Sequence, residues 1–216
     1  MARLKVVVLI SGRGTNLQSL IDHCADPKFP AEIVLVLSNR PGAAGLERAE
    51  KAGLTTGTLD HKLFKDRGSF EEAMDGLIRA HGVDLICLAG FMRVLTPYFV
   101  DRWKDRLINI HPSLLPAFPG LDTHARALAA GVRFAGCTVH YVRSDVDVGP
   151  IIVQAAVPVL PDDTEDTLAA RVLESEHRCY PLALRLIGEG RVTVTGDTVA
   201  IDGASAPAAA AINPLP

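Results

Sequence analysis

The strongest constraint on this chain is the run Leu4–Ile10 (LKVVVLI), which breaks at once into Ser11-Gly12-Arg13-Gly14. A continuous β-branched run has no polar face to give to water. It reads as a strand covered on both sides, and such strands belong to parallel sheets set between helices. The run is far too short to cross a bilayer, and no small-residue cleavage pattern follows it. Neither a membrane span nor a secretory signal is expected, and the expected location is cytoplasmic.

Glu32–Leu37 and Asp84–Leu88 repeat the strand pattern. Helical spacings lie between them, in Leu17, Leu20 and Ile21, in Ala44–Ala52, and in Phe70, Met74, Leu77 and Ile78. This alternation predicts an α/β fold with a doubly wound, mostly parallel sheet and flanking helices. After Leu107–Ile110 the rhythm changes to a proline-rich stretch and a helix near Thr123–Ala130. Thr138–Val142 and Ile151–Val159 then read as antiparallel additions in the C-terminal half. A long helix is expected over Thr164–Ile187, capped by Asp162 or Asp163 and kinked at Pro181. Val192–Val194 and Val199–Ile201 flank Gly196-Asp197 as a hairpin. The 216 residues suit one domain over 1–203, with a nucleotide-phosphate half to about 105 and a catalytic half from about 106; residues 204–216 read as a loosely ordered Ala/Pro-rich tail.

Charge narrows the function classes. Lys and Arg number 22 against 25 Asp and Glu, a net charge of −3, and phosphate-backbone or anionic-membrane binding needs a clustered positive field. No nucleic-acid or membrane partner is expected. Cys24, Cys87, Cys137 and Cys179 form no C-x-x-C pair and read as reduced, mostly buried thiols. The seven histidines show no ligand spacing, so no metal is expected.

Three segments carry chemistry. Ser11–Asn16 joins a buried strand to a helix, where backbone N–H groups and the helix dipole favour a phosphate; the alternative is a plain tight turn with Asn16 or Thr15 as the N-cap. It lacks the Gly-Lys-Ser/Thr of a Walker A loop, and Leu17 stands where a dinucleotide fingerprint needs its third glycine. The second segment is Asn109-Ile110-His111-Pro112, at the carboxyl end of a strand. Alternation turns Asn109 and His111 to one side, and the prolines that follow stiffen the loop. The third is Asp145-Val146-Asp147-Val148-Gly149-Pro150. Together, an Asn, a His and an Asp offer a neutral donor for a developing oxyanion, a titratable acid, and a carboxylate to orient and charge that imidazole. The set suits acyl transfer to an external nucleophile.

In order and spacing, LISGRGTNLQSLI, DLICLAGFMRVL, LINIHPSLLPAFPGLDTH, DVDVGPIIVQ and ESEHRCYPL resemble the phosphoribosylglycinamide formyltransferases over roughly residues 4–195. The Asn-x-His-Pro-Ser-Leu-Leu-Pro signature with a downstream Asp-x-Gly-Pro is shared by the wider folate-dependent formyltransferase family. The SGRGTN loop and the short chain favour a glycinamide ribonucleotide acceptor. The alternative is a formyltetrahydrofolate deformylase or another folate-dependent formyltransferase.

The resemblance implies that 10-formyltetrahydrofolate, as cosubstrate, gives its formyl group to the amine of glycinamide ribonucleotide in purine synthesis. By matching positions it implies Asn109, His111 and Asp147 as the catalytic trio, and Gly14, Thr15, Asn16 and Glu176 as ribonucleotide contacts. Arg67, Met92, Arg93, Val94 and Leu95, with Asn109 and Asp147, would meet the folate. The implied partners are these small molecules, with the protein a monomer or homodimer. Two positions depart from the family pattern. Arg13 replaces a smaller polar residue between the two glycines, and the β-branched Val148 follows the catalytic Asp and stiffens its loop.

Overall fold

The computed structural model describes residues 2–214. Its centre is a seven-stranded sheet in the order β3-β2-β1-β4-β5-β6-β7. The first five strands are parallel: β1 (Leu4–Ile10), β2 (Ala31–Ser38), β3 (Thr56–Thr58), β4 (Leu85–Leu88) and β5 (Leu107–His111). β6 (Phe134–Tyr141) runs antiparallel to β5, and β7 (Ile151–Pro158) antiparallel to β6. β1 lies between β2 and β4, so the chain winds outward, returns across β1 and winds the other way. A small hairpin of β8 (Val192–Thr195) and β9 (Thr198–Ile201) follows, closed through Gly196 at φ +59°.

Each face of β1 has its own core, which is why the run has no polar alternation. Val6, Val8 and Ile10 pack with α1 (Thr15–Cys24), α2 (Ala44–Lys51) and α6 (Glu165–Gly188). Val7 and Leu9 pack on the opposite face with Phe70, Met74 and Ile78 of α3 (Arg67–Ala80) and Phe99 and Val100 of α4 (Pro97–Arg102). Burial of apolar side chains on both faces is the main force holding the layers together. Leu17, Leu20 and Ile21 on α1, and Leu168, Val172, Cys179 and Leu186 on α6, fall on buried stripes. α5 (Thr123–Ala129) precedes β6.

Two cap expectations are corrected. α1 is entered through Gly14 at φ +70°, with no side-chain cap. A Cβ at Gly14 would stand 2.6 Å from the Gly45 Cα, so the turn has room only for glycine there. The cap of α6 is Thr164, which forms a capping box with Thr167, and not Asp162 or Asp163. Asp163 is drawn instead into a two-pronged pair with Arg171 at 2.7 and 2.8 Å. α6 runs unbroken through Pro181. β3 and α4 were not expected, although Thr96 caps α4 directly before Pro97, a start signal legible in the sequence.

All four cysteines are free and buried, and burial raises the Cys24 thiol to about 12. No helix among the described residues is long and apolar enough to cross a membrane. Residues 204–214 form neither helix nor strand, yet the Asn213 Nδ2 donates to the carbonyls of Arg133 and Val159 at 2.6 and 3.0 Å. The end of the tail, Leu215 and Pro216, lies outside the described residues.

Candidate active site

A cavity of about 610 Å³ opens past the carboxyl ends of β4 and β5, beside the point where the sheet reverses its winding. That is where open α/β sheets hold ligands. Phe91–Leu95 after β4, Gly120–His124 before and into α5, and Ser144–Asp147 between β6 and β7 line it, with Asn109, His111 and His140. Met92, Val94 and Val146 leave 58%, 52% and 52% of their surface free at the cavity. Apolar side chains left open around a few convergent polar groups suit a largely apolar ligand.

Asn109 and His111 project from β5 into the cavity, and the β6–β7 loop brings Asp147 to them. The His111 Nδ1 lies 3.3 Å from the Asp147 Oδ2, with both side chains largely buried. The His111 Nε2 lies 3.0 Å from the Phe118 carbonyl oxygen. Both ring nitrogens therefore face acceptors, the pattern that a doubly protonated imidazole satisfies. The Asp147 Oδ2 also accepts from the Gly120 N–H at 2.7 Å. Asp147 and Phe118 take positive φ, +56° and +53°, and Gly149 must stay glycine because its Cβ would stand 1.9 Å from the Tyr141 carbonyl oxygen. Non-glycine residues at positive φ persist where surrounding contacts hold them.

The supports of this arrangement come from distant segments. The Thr138 Oγ1 on β6 donates to the Ser113 carbonyl at 2.7 Å and accepts from the Leu115 N–H at 3.1 Å. Gln154 on β7 donates to the Leu115 carbonyl at 2.9 Å. These bonds hold the proline-rich loop against the antiparallel strands. The Ser11 Oγ accepts from the Met92 N–H at 2.8 Å and so ties the loop after β4 to the end of β1. From α6, the buried Tyr180 hydroxyl donates to the Leu88 carbonyl at 2.9 Å, fixing the end of β4.

A second polar centre lies at the start of α1. Without a side-chain cap, the first N–H groups of α1 have no intrahelical partner and point outward. The Gly45 N–H donates to the Gly12 carbonyl at 3.0 Å, and the Arg48 Nε to the Arg13 carbonyl at 2.9 Å, so α2 braces this loop. The Asn16 Nδ2 donates to the Glu176 Oε2 at 2.8 Å, while its buried Oδ1 has no partner among the described residues. Glu176 is only 6% exposed, and burial pushes its carboxyl up to about 7 against the pull of the Asn16 bond.

The cavity thus brings together Asn109, His111, Asp147, Met92, Arg93, Val94 and Leu95. Arg67 is exposed at the start of α3, outside that lining. Gly14, Thr15, Asn16 and Glu176 form the separate centre between α1 and α6. The sequence reasoning missed His140, on β6 opposite Asn109, and His124 and Glu165, which also line the cavity. The buried His124 Nδ1 has no partner among the described residues. His124 closes the segment LINIHPSLLPAFPGLDTH, whereas no local motif marks His140 or Glu165; for His140 the signal is its place across the β5–β6 register. Among the described residues no group of three or more His, Cys, Asp or Glu side chains is placed to hold a metal ion.

The sequence matches the family described as "Formyl transferase" over residues 4–184. It is 44% identical to the phosphoribosylglycinamide formyltransferase of Escherichia coli (strain K12), over 94% of this chain and 96% of that protein. It is 52% identical to the trifunctional purine biosynthetic protein adenosine-3 of Gallus gallus over 89% of this chain, and the match spans only 19% of that longer relative. The crystal structure of glycinamide ribonucleotide transformylase 1 from Symbiobacterium toebii superposes with a TM-score of 0.90 at 48% identity, over 92% of this chain and 94% of that one.

Proposed function

The chain belongs to the formyl transferase family, and on that premise we propose that it is a phosphoribosylglycinamide formyltransferase. The reaction moves the formyl group of 10-formyltetrahydrofolate to the amine of 5-phosphoribosylglycinamide, a step of purine biosynthesis. The observation that carries this reading is the meeting of Asn109, His111 and Asp147 at one cavity.

In this reading the ribonucleotide phosphate sits on the first N–H groups of α1, at Gly14, Thr15 and Asn16, where the helix dipole favours negative charge. Glu176 meets the ribose or glycinamide end. The folate occupies the cavity along Met92–Leu95, and Arg93 there offers a fork-shaped donor to a carboxylate. Arg67, outside the lining, is assigned to the exposed end of the same ligand.

The amine attacks the formyl carbon, a new C–N bond forms and charge builds on the formyl oxygen. The Asn109 amide donates a hydrogen bond to that oxygen, and the protonated His111 stabilises the charge beside it. Asp147 takes the proton that the amine sheds. The His111–Asp147 pair returns one to the departing folate nitrogen as its C–N bond breaks, so protons balance and the enzyme needs no nucleophile of its own.

The test is an assay with 10-formyltetrahydrofolate, with and without the ribonucleotide, following the identity of the formylated product. Formylation of the ribonucleotide amine is expected. Release of formate at the same rate without acceptor contradicts the reading and points to deformylation.

A further inference from the structure

β5 and β6 run antiparallel with Asn109 directly across from His140. Side chains so paired share one face of the sheet, with Cβ atoms about 4.5–5.5 Å apart. His140 is 1% exposed, and its Nδ1 lies 3.0 Å from the Tyr141 carbonyl oxygen. A carbonyl only accepts, so Nδ1 carries the hydrogen, and in a neutral ring Nε2 presents a lone pair. Burial disfavours the charged ring at this place. The Nε2 stands 3.4 Å from the Asn109 Nδ2, a long contact of the right sense for the amide to donate.

Asn109 carries both a donor and an acceptor on a terminal group with a broad, roughly two-fold torsion. Turned one way, it offers an N–H to a developing oxyanion. Turned the other, it offers a carbonyl oxygen and repels it. An acceptor fixed beside the amide favours the first orientation: one N–H is engaged by the ring and the other stays free toward the cavity.

We infer that His140 is a positioning residue that holds the Asn109 amide with its free N–H toward the formyl oxygen. The inference rests on the formyl-transfer reading above. It assigns His140 no contact with substrate. Its effect passes through Asn109, so it falls on the chemical step and vanishes when Asn109 is removed.

The experiment measures kcat and both KM values in the ribonucleotide-dependent assay for the wild type, His140→Leu, His140→Gln, Asn109→Ala and the Asn109→Ala/His140→Leu double variant. His140→Leu is expected to lower kcat by about 10–100-fold with both KM values within about twofold, a loss of orientation rather than of binding. His140→Gln, whose amide oxygen can stand near the place of Nε2, is expected to recover to within about fivefold of wild type. In the Asn109→Ala background, His140→Leu is expected to cost less than about twofold more, since no amide remains to orient.

Full multiplication of the two single losses overturns the inference, as does wild-type turnover by His140→Leu or a rise in KM alone. If His140→Leu does not fold, His140→Gln and His140→Asn decide between them. Only the longer amide reaches Asn109, so equal losses in the two overturn the inference. A wild-type enzyme that forms no formylated ribonucleotide instead defeats the formyl-transfer reading itself.

Discussion

The His111 Nδ1 and the Asp147 Oδ2 stand 3.3 Å apart although one sits on a strand of the sheet and the other in a loop. The carboxylate is held by more than the imidazole. The Gly120 N–H donates to the same oxygen at 2.7 Å, and the Asp147 backbone takes φ +56° to present it. Phe118, whose carbonyl faces the other ring nitrogen, and Asp122 are also at positive φ, +53° and +55°. Such conformations cost about 1–3 kcal/mol each and persist where neighbouring contacts over-determine them. The pair is thus set in place before any ligand arrives, which suits a group that must stabilise charge without reorganising.

Removing either end of this machinery should leave a folded, slow enzyme. Asn109→Ala and Asp147→Ala are expected to lower kcat by about 10²–10³-fold. Asp147→Asn, which keeps an oxygen for the Gly120 N–H, should match the wild type in thermal midpoint while losing turnover. Steady-state kinetics beside circular dichroism checks this, and wild-type turnover by any of the three contradicts the assigned roles.

Glu176 makes stability depend on pH in a stated direction. Its carboxyl titrates near 7 in the fold against an ordinary 4.5, so the fold favours its protonated form. The associated stability is complete below about 4.5 and is lost as pH rises through about 7, amounting to roughly 3 kcal/mol. Glu176→Gln should therefore unfold at the same urea concentration as wild type near pH 4.5 and at a higher one near pH 8. A constant difference across that range argues against the buried, raised carboxyl.

Gly14→Ala tests the entry to α1. The residue sits at φ +70°, and an added methyl would stand 2.6 Å from the Gly45 Cα. The expected cost is about 1–3 kcal/mol in stability from strain and displaced backbone. Isothermal titration should show weakened ribonucleotide binding while folate binding is retained. Equal weakening for both ligands would mean that the loop is not specific to the phosphate.

Tyr180→Phe removes one hydroxyl and nothing else. That hydroxyl is fully buried and donates to the Leu88 carbonyl at 2.9 Å. Loss of the bond leaves a buried carbonyl short of a partner, at a cost of about 1–3 kcal/mol. The variant should unfold at lower denaturant with an unchanged m-value. Undiminished stability would mean that water or a shifted side chain replaces the bond.

Much of the fold and part of the site are legible in the sequence. β1, α3, α6 and the terminal hairpin appear within a residue or three of where period and turn chemistry put them. Each depends on neighbours along the chain and on one buried face. The glycines of Ser11–Asn16 mark an anion-suited turn, and the resemblance assigned Asn109, His111 and Asp147 to one site. The cap of α1 was missed because Gly14 is dictated by the approach of Gly45 from α2, a contact no local pattern encodes. β3 was missed because three residues are too few to show a period.

By itself, then, the sequence determined the alternation of elements, the two-sided burial of β1 and the residue types available for acyl transfer. Only the tertiary structure decided their meeting: the β5–β6 register that sets Asn109 against His140, the loop that lowers Asp147 onto His111, and the packing of α1 on α6 that buries Glu176 beside Asn16. The reason is range. Periodicity and capping act over a few residues, whereas register and helix docking depend on the combined burial of whole faces, and a slip of one residue would turn every side chain of a strand to the opposite face.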